Sequence, residues 1–124
     1  MYNLLIKRFI FNKWGDGWLD INFEFRKGIF FIRLEGILNE EASVKLSEKL
    51  DYFINTQGVK YFVINLEKVF ITDYSFFSML EEKYKDVKVH DGKLIICGYN
   101  NSFLECSNIY QTNNELMAFK LIEV

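Results

Sequence analysis

From Leu19 to Phe25 apolar and polar residues alternate strictly, the period of a strand with one buried face. Residues 9–14 form an apolar-rich run before it, and Gly15-Asp16-Gly17 between them supplies the positive φ angles of a tight hairpin. Trp14 and Trp18 flank that turn and suit cross-strand pairing. Lys27-Gly28 marks a second turn, and the nearly continuous apolar run over 29–34 predicts a strand deeper in the sheet. The period then changes. Asn39 suits a helix N-cap, Glu40 and Glu41 complement the positive helix start, and Ala42, Leu46, Leu50 and Phe53 recur on one helical face until Gly58.

Residues 61–66 predict a buried strand and 67–71 a short connection to Thr72-Asp73-Tyr74-Ser75. A second helix is expected from Phe76, with Phe76, Leu80, Tyr84 and Val87 on one face, and Gly92 closes the connection. Residues 94–97 read as a third buried strand ended by Gly98. A short helix is expected around 102–108. A last one starts at Glu115, capped by Asn113-Asn114, and buries Leu116, Phe119 and Ile122 or their neighbours. Alternation of this kind predicts an α/β fold: a mixed, largely parallel sheet with helices packed on it and antiparallel hairpin strands at the N-terminal edge.

The 124 residues suit one domain, long enough to hide roughly two thirds of its unfolded surface. Half of the residues are hydrophobic and 18% aromatic, which argues against disorder. A net charge of −2 gives no pull toward phosphate backbones, so nucleic acid is not an expected partner. Cys97 and Cys106 read as buried reduced thiols, without a disulfide framework or a zinc site. His90 lies beside a turn with no second histidine to share a metal, and reads as a solvated loop residue. Leu4-Leu5-Ile6 is broken by Lys7-Arg8 and no cleavage site follows, so neither a signal peptide nor a membrane span is expected and the location reads as cytoplasmic. The basic and apolar residues of 3–9 suit an edge strand better than a membrane-surface helix.

Chemistry-bearing motifs are sparse. There is no Walker A loop, dinucleotide fingerprint or nucleophile elbow, and no cofactor is implied. Glu81-Glu82 are adjacent on a helix and point to different sides. The segment that stands out is Ile71-Thr72-Asp73-Tyr74-Ser75-Phe76-Phe77, where hydroxyl and carboxylate groups meet at a helix start with unpaired N–H groups. Capping by Asp73 or Ser75 accounts for it in structural terms. As a functional feature, Ser75 is a candidate phosphoryl acceptor, its phosphate held by the helix dipole and free N–H groups.

Three stretches together resemble STAS domains of the bacterial anti-sigma factor antagonist family. The first is Phe31-Ile32-Arg33-Leu34-Glu35-Gly36-Ile37-Leu38-Asn39, similar to the family's strand and Gly-x-Leu-Asp turn. The second runs over 62–75 and ends in Ile71-Thr72-Asp73-Tyr74-Ser75, similar to its strand and switch turn. The third is Gly92-Lys93-Leu94-Ile95-Ile96-Cys97-Gly98. The resemblance covers residues 20 to 123 of a single domain over 1–124, with 1–18 as an N-terminal extension that reads as an extra strand.

The resemblance implies a non-enzymatic regulatory module. It would bind a serine kinase that is also an anti-sigma factor, and phosphorylation of Ser75 would end the contact. The implied partner-binding residues are Asn39, Thr72, Asp73, Tyr74, Ser75 and Phe76, with Tyr74 and Phe76 or Phe77 as exposed aromatic anchors. The chain departs from the family pattern at Tyr74 and Phe76, where the family has small residues, and at Asn39, where it has aspartate. Three alternatives stay open: a STAS scaffold that is never phosphorylated, a transporter-associated subunit, and, ranked last, a small enzyme using Asp73 and Ser75. The oligomeric state, including a homo-oligomer, also stays open.

Overall fold

A computed structural model describes residues 5–13, 17–99 and 108–122. The elements, in chain order, are β1 (Leu5–Lys13), β2 (Gly17–Arg26), β3 (Ile29–Leu38), α1 (Glu40–Asp51), β4 (Tyr61–Thr72), α2 (Tyr74–Val89), β5 (Lys93–Cys97), β6 (Tyr110–Thr112) and α3 (Glu115–Ile122). A wide helical turn, Tyr52–Thr56, extends α1. The six strands form one sheet in sequence order. β1, β2 and β3 are antiparallel neighbours, and β3 to β6 run parallel. This is the mixed α/β sheet that the alternating pattern predicts.

The sheet buries both faces along its parallel strands. On one face Leu19, Ile21 and Phe23 of β2, Phe30 and Ile32 of β3 and Phe62 and Ile64 of β4 meet the apolar stripes of α1 and α2. Phe30 is the hub, with ring centroids 5.3 Å from Phe23 and 4.2 Å from Phe53. Edge-to-face pairs of this kind add to the area buried. On the other face Phe31, Val63 and Ile95 meet Ala118 and Ile122 of α3. Burial on both sides explains the continuous apolar runs in β3, β4 and β5.

The structure corrects several expectations. β4 continues through 67–72 instead of stopping at Leu66, because β3 is long enough to pair with it as far as Leu38↔Thr72. β5 accompanies β4 only to Asn65. Beyond that point one edge of β4 lacks a paired strand among the described residues, which is why Glu67, Lys68 and Phe70 are exposed and the apolar pattern breaks. The second helix begins at Tyr74, two residues early, because Asp73 caps it. In α3 the buried residues are Ala118 and Ile122 while Leu116 is exposed, so the helix is rotated from the expected face. Trp18 pairs with Asn12; Trp14 and most of the short helix expected over 102–108 fall outside the described residues. The three-residue strand β6 carries too short a pattern to stand out in the sequence.

Candidate functional site

Two parallel strands set the site. Leu38 and Thr72 end β3 and β4 as register partners, so the chain leaves the sheet twice at the same end. Each exit is a helix cap. Asn39 is extended (φ −93°, ψ −175°) and its Oδ1 accepts the Ala42 N–H at 2.9 Å. Asp73 is also extended (φ −117°, ψ 151°) and its Oδ1 accepts the Ser75 N–H at 3.0 Å. Each side chain satisfies one of the donors that a helix start leaves unpaired. The positive ends of both helix dipoles therefore converge on one corner of the molecule.

The residues singled out in the sequence divide sharply here. Asn39 and Asp73 are the caps. Thr72 closes β4 through its backbone pairing with Leu38. Tyr74 is 73% exposed in the first turn of α2. Phe76 is 0% and Phe77 5% exposed, so neither is a surface anchor. Their positions in the first turns of α2 point them into the core, where the Phe77 ring meets Phe76 edge-on and lies tilted against Tyr99. Tyr74 alone of the three expected aromatic anchors faces outward.

Ser75 is half-buried, and its Oγ is the one buried side-chain polar atom among the described residues with no hydrogen-bond partner. The side chain lines a groove of about 350 Å³ between α1 and α2. An unpaired hydroxyl in such a place costs free energy, about 1–3 kcal/mol by the usual penalty for an unsatisfied buried polar group.

A larger cleft, about 590 Å³, lies on the opposite sheet face, away from the two caps. Its centre is Arg33. The guanidinium Nε and Nη2 donate to the Glu115 carboxylate at 2.7 and 2.9 Å, and Nη1 lies 2.7 Å from Glu24 Oε1. Asn65 Nδ2 donates to the same Glu115 at 2.9 Å. The hydrogen bonds that Arg33 donates to Glu115 raise its pKa above the usual range, outweighing burial. Burial pushes the Glu115 carboxyl up, but the bonds from Arg33 and Asn65 together hold it below its usual value. These groups satisfy one another, so the cluster reads as a clamp that fixes α3 on the sheet. Sequence reasoning missed it because Arg33 and Glu115 are 82 residues apart and carry no local signal.

Cys97 is buried, and burial, followed by the charges of Glu115 and Glu67, pushes its thiol up to about 12. His90 is exposed at the end of α2. Among the described residues no group of three His, Cys, Asp or Glu side chains is arranged to hold a metal, and no helix is long and apolar enough to cross a membrane.

The STAS domain profile matches residues 20–121, and the chain belongs to that family. β1 precedes the matched region. The anti-sigma F factor antagonist of Paenibacillus polymyxa is 24% identical over 113 residues, 86% of this chain and 97% of that protein. The fold is similar to that of the anti-sigma factor antagonist SpoIIAA in its unphosphorylated form, with a TM-score of 0.72 and 16% identity over 81% of this chain and 94% of the other. It is equally similar to the Bacillus cell fate determinant SpoIIAA in the phosphorylated form, with a TM-score of 0.71 and 17% identity over 83% and 99%.

Proposed function

We propose that this STAS domain is a regulatory module that binds a protein partner, a serine kinase/anti-sigma factor, through the corner formed by Asn39 and residues 72–75. The observation that carries this reading is Tyr74: a large aromatic, 73% exposed, standing next to two adjacent helix caps. Aromatic side chains dominate contact energies when a partner desolvates them. Phe76 contributes from beneath, as the core residue that holds the first turn of α2 in place, and so presents no bulk to an approaching kinase.

Ser75 is the phosphoryl acceptor in this reading. Its hydroxyl has no hydrogen bond to lose, so turning it outward costs no partner and gains water. The product phosphate lies in the first turn of α2, where the helix dipole favours it. It adds close to two negative charges and considerable bulk beside Asp73, and docking ends. The reading makes the protein a non-catalytic cytoplasmic regulator.

The test is to replace Ser75 by Asp and by Ala and measure binding to a co-purified kinase. The Ala variant is expected to bind and the Asp variant to fail. Equal affinity for both removes the switch. In that case the shielded position of Ser75 Oγ favours a second reading, a STAS scaffold that binds without being modified.

A further inference from the structure

Exposed apolar residues collect around α3. Leu116 is 62%, Met117 45% and Leu121 46% exposed, and Tyr110 of β6 is 69% exposed. Tyr110 is the register partner of Ile95, which packs beneath α3, so it stands on the same side of the sheet. Of the nine exposed large hydrophobic residues among those described, these four share one patch. Basic groups border it. Lys120 lies on the helix itself, Lys27 places its ammonium 6.0 Å from the Phe119 ring, and Lys93 donates to the Leu121 carbonyl at 3.5 Å. Arg26 lines a hollow together with Leu116 and Phe119. The carboxylates of Glu115 and Glu24 beside them are both bonded to Arg33 at 2.7 Å. A chain of net charge −2 therefore turns a basic, apolar face outward here.

We propose that this face seats the domain on an anionic membrane surface, with Leu116, Met117 and Leu121 entering the headgroup region and Lys27, Lys93 and Lys120 meeting lipid phosphates. The inference is independent of the partner-binding reading above. The occupant follows from charge and shape. A second copy of the chain would meet through the same patch on both subunits and set these cations against themselves. An anionic surface complements them, at a gain for each lysine near the lipid. The apolar side chains protrude from a helix instead of lining a groove, the arrangement of a helix that lies in the interface plane with basic residues at its rim. α3 is already folded, held to the sheet by Ala118, Ile122 and the bond from Arg33 to Glu115, so docking needs no ordering of the helix. Ile29, Tyr61 and Lys93 are register partners at the starts of β3, β4 and β5, so Lys27 and Lys93 mark the end of the sheet opposite Leu38 and Thr72. A docked domain keeps the corner at Asn39 and Asp73 at its far end.

The experiment mixes the whole chain with vesicles of phosphatidylcholine alone, or of roughly equal parts phosphatidylcholine and phosphatidylglycerol, and reads the bound fraction by flotation. Binding is expected to the anionic vesicles only, and is expected to fall steeply as salt is raised. Each cation removed is expected to lower the partition coefficient by about fivefold, so K27Q/K120Q binds about 25-fold more weakly. L116Q/L121Q is expected to lose binding, because apolar insertion is gone. Both variants are expected to keep the melting temperature of the parent, since the altered side chains are exposed. Binding to neither vesicle, equal binding to both, or undiminished binding in L116Q/L121Q overturns the proposal. A chain that ignores vesicles but self-associates, with the association lost in L116Q/L121Q, overturns it in favour of a second copy on this face. A chain that ignores vesicles but loses a co-purified protein in that variant overturns it in favour of a protein contact.

Discussion

Leu38 and Thr72 are paired across β3 and β4, and each is followed at once by a helix cap, Asn39 and Asp73. The pairing explains why two turns 34 residues apart in the sequence form one surface. It also makes the caps energetically parallel. Replacing either Asn39 or Asp73 by Ala is expected to cost about 1 kcal/mol, the usual loss for an N-cap. Chemical denaturation of the two single variants and the double variant checks this. Near-additive losses are expected, because among the described residues each side chain bonds within its own helix start.

Tyr74 and Phe76 are two residues apart and have opposite roles. Tyr74→Ala is expected to leave the melting temperature within a degree or so of the parent, since surface substitutions change stability by about 0.5 kcal/mol or less. Its effect appears in binding, where loss of a central aromatic anchor costs about 2 kcal/mol or more. Phe76→Ala is expected to behave in the reverse way and destabilise the fold by about 3–5 kcal/mol, as for other buried phenylalanines. Calorimetry and a binding assay on the same pair of variants read both effects. A Phe76 variant that is stable but does not bind would contradict the buried position of that ring.

Ser75→Ala is expected to stabilise the protein by about 1 kcal/mol, an unusual sign for a partly buried polar residue. The hydroxyl that it removes is desolvated and unpaired. Its removal therefore relieves a penalty instead of breaking a bond. The backbone N–H of Ser75 keeps its bond to Asp73 in the variant. A urea midpoint that falls in Ser75→Ala would mean that the hydroxyl is satisfied in solution.

Much of this architecture was legible in the sequence. The alternation over 19–25, the apolar runs at 29–34, 61–66 and 94–97, and the helical stripe of Ala42, Leu46 and Leu50 each report a burial pattern that a single element imposes on itself. Asn39 and Asp73 were legible as caps for the same reason, because capping is local chemistry. What escaped depends on contacts between distant segments. The length of β4 is set by β3, and the rotation of α3 by the clamp from Arg33 to Glu115. Phe76 was misread as an anchor because a helix start predicted at Phe76 leaves its facing undefined. With the start at Tyr74, the ring falls on the buried side. The orphaned Ser75 hydroxyl has no sequence signature at all.

The clamp gives the stability a definite pH dependence. Glu115 titrates below its ordinary value of 4.5 in the folded protein because Arg33 and Asn65 stabilise its charged form against the opposing effect of burial. A carboxyl with a depressed folded value contributes stability that is present above its unfolded pKa and is lost as pH falls through the folded one. The protein is therefore expected to hold its stability from neutral pH down to about pH 5, and to lose part of it below that as Glu115 takes up a proton. Glu115→Gln removes the charge but keeps the shape. It is expected to lower stability near neutral pH by about 1–3 kcal/mol, the cost of removing a partner from a partly buried charged hydrogen bond. It should also flatten the acid limb, since the group that titrates there is gone. Urea midpoints of parent and variant measured across the acid range test both statements. A variant whose acid limb runs parallel to that of the parent would show that another carboxyl controls it, and that Arg33 holds α3 by position more than by charge.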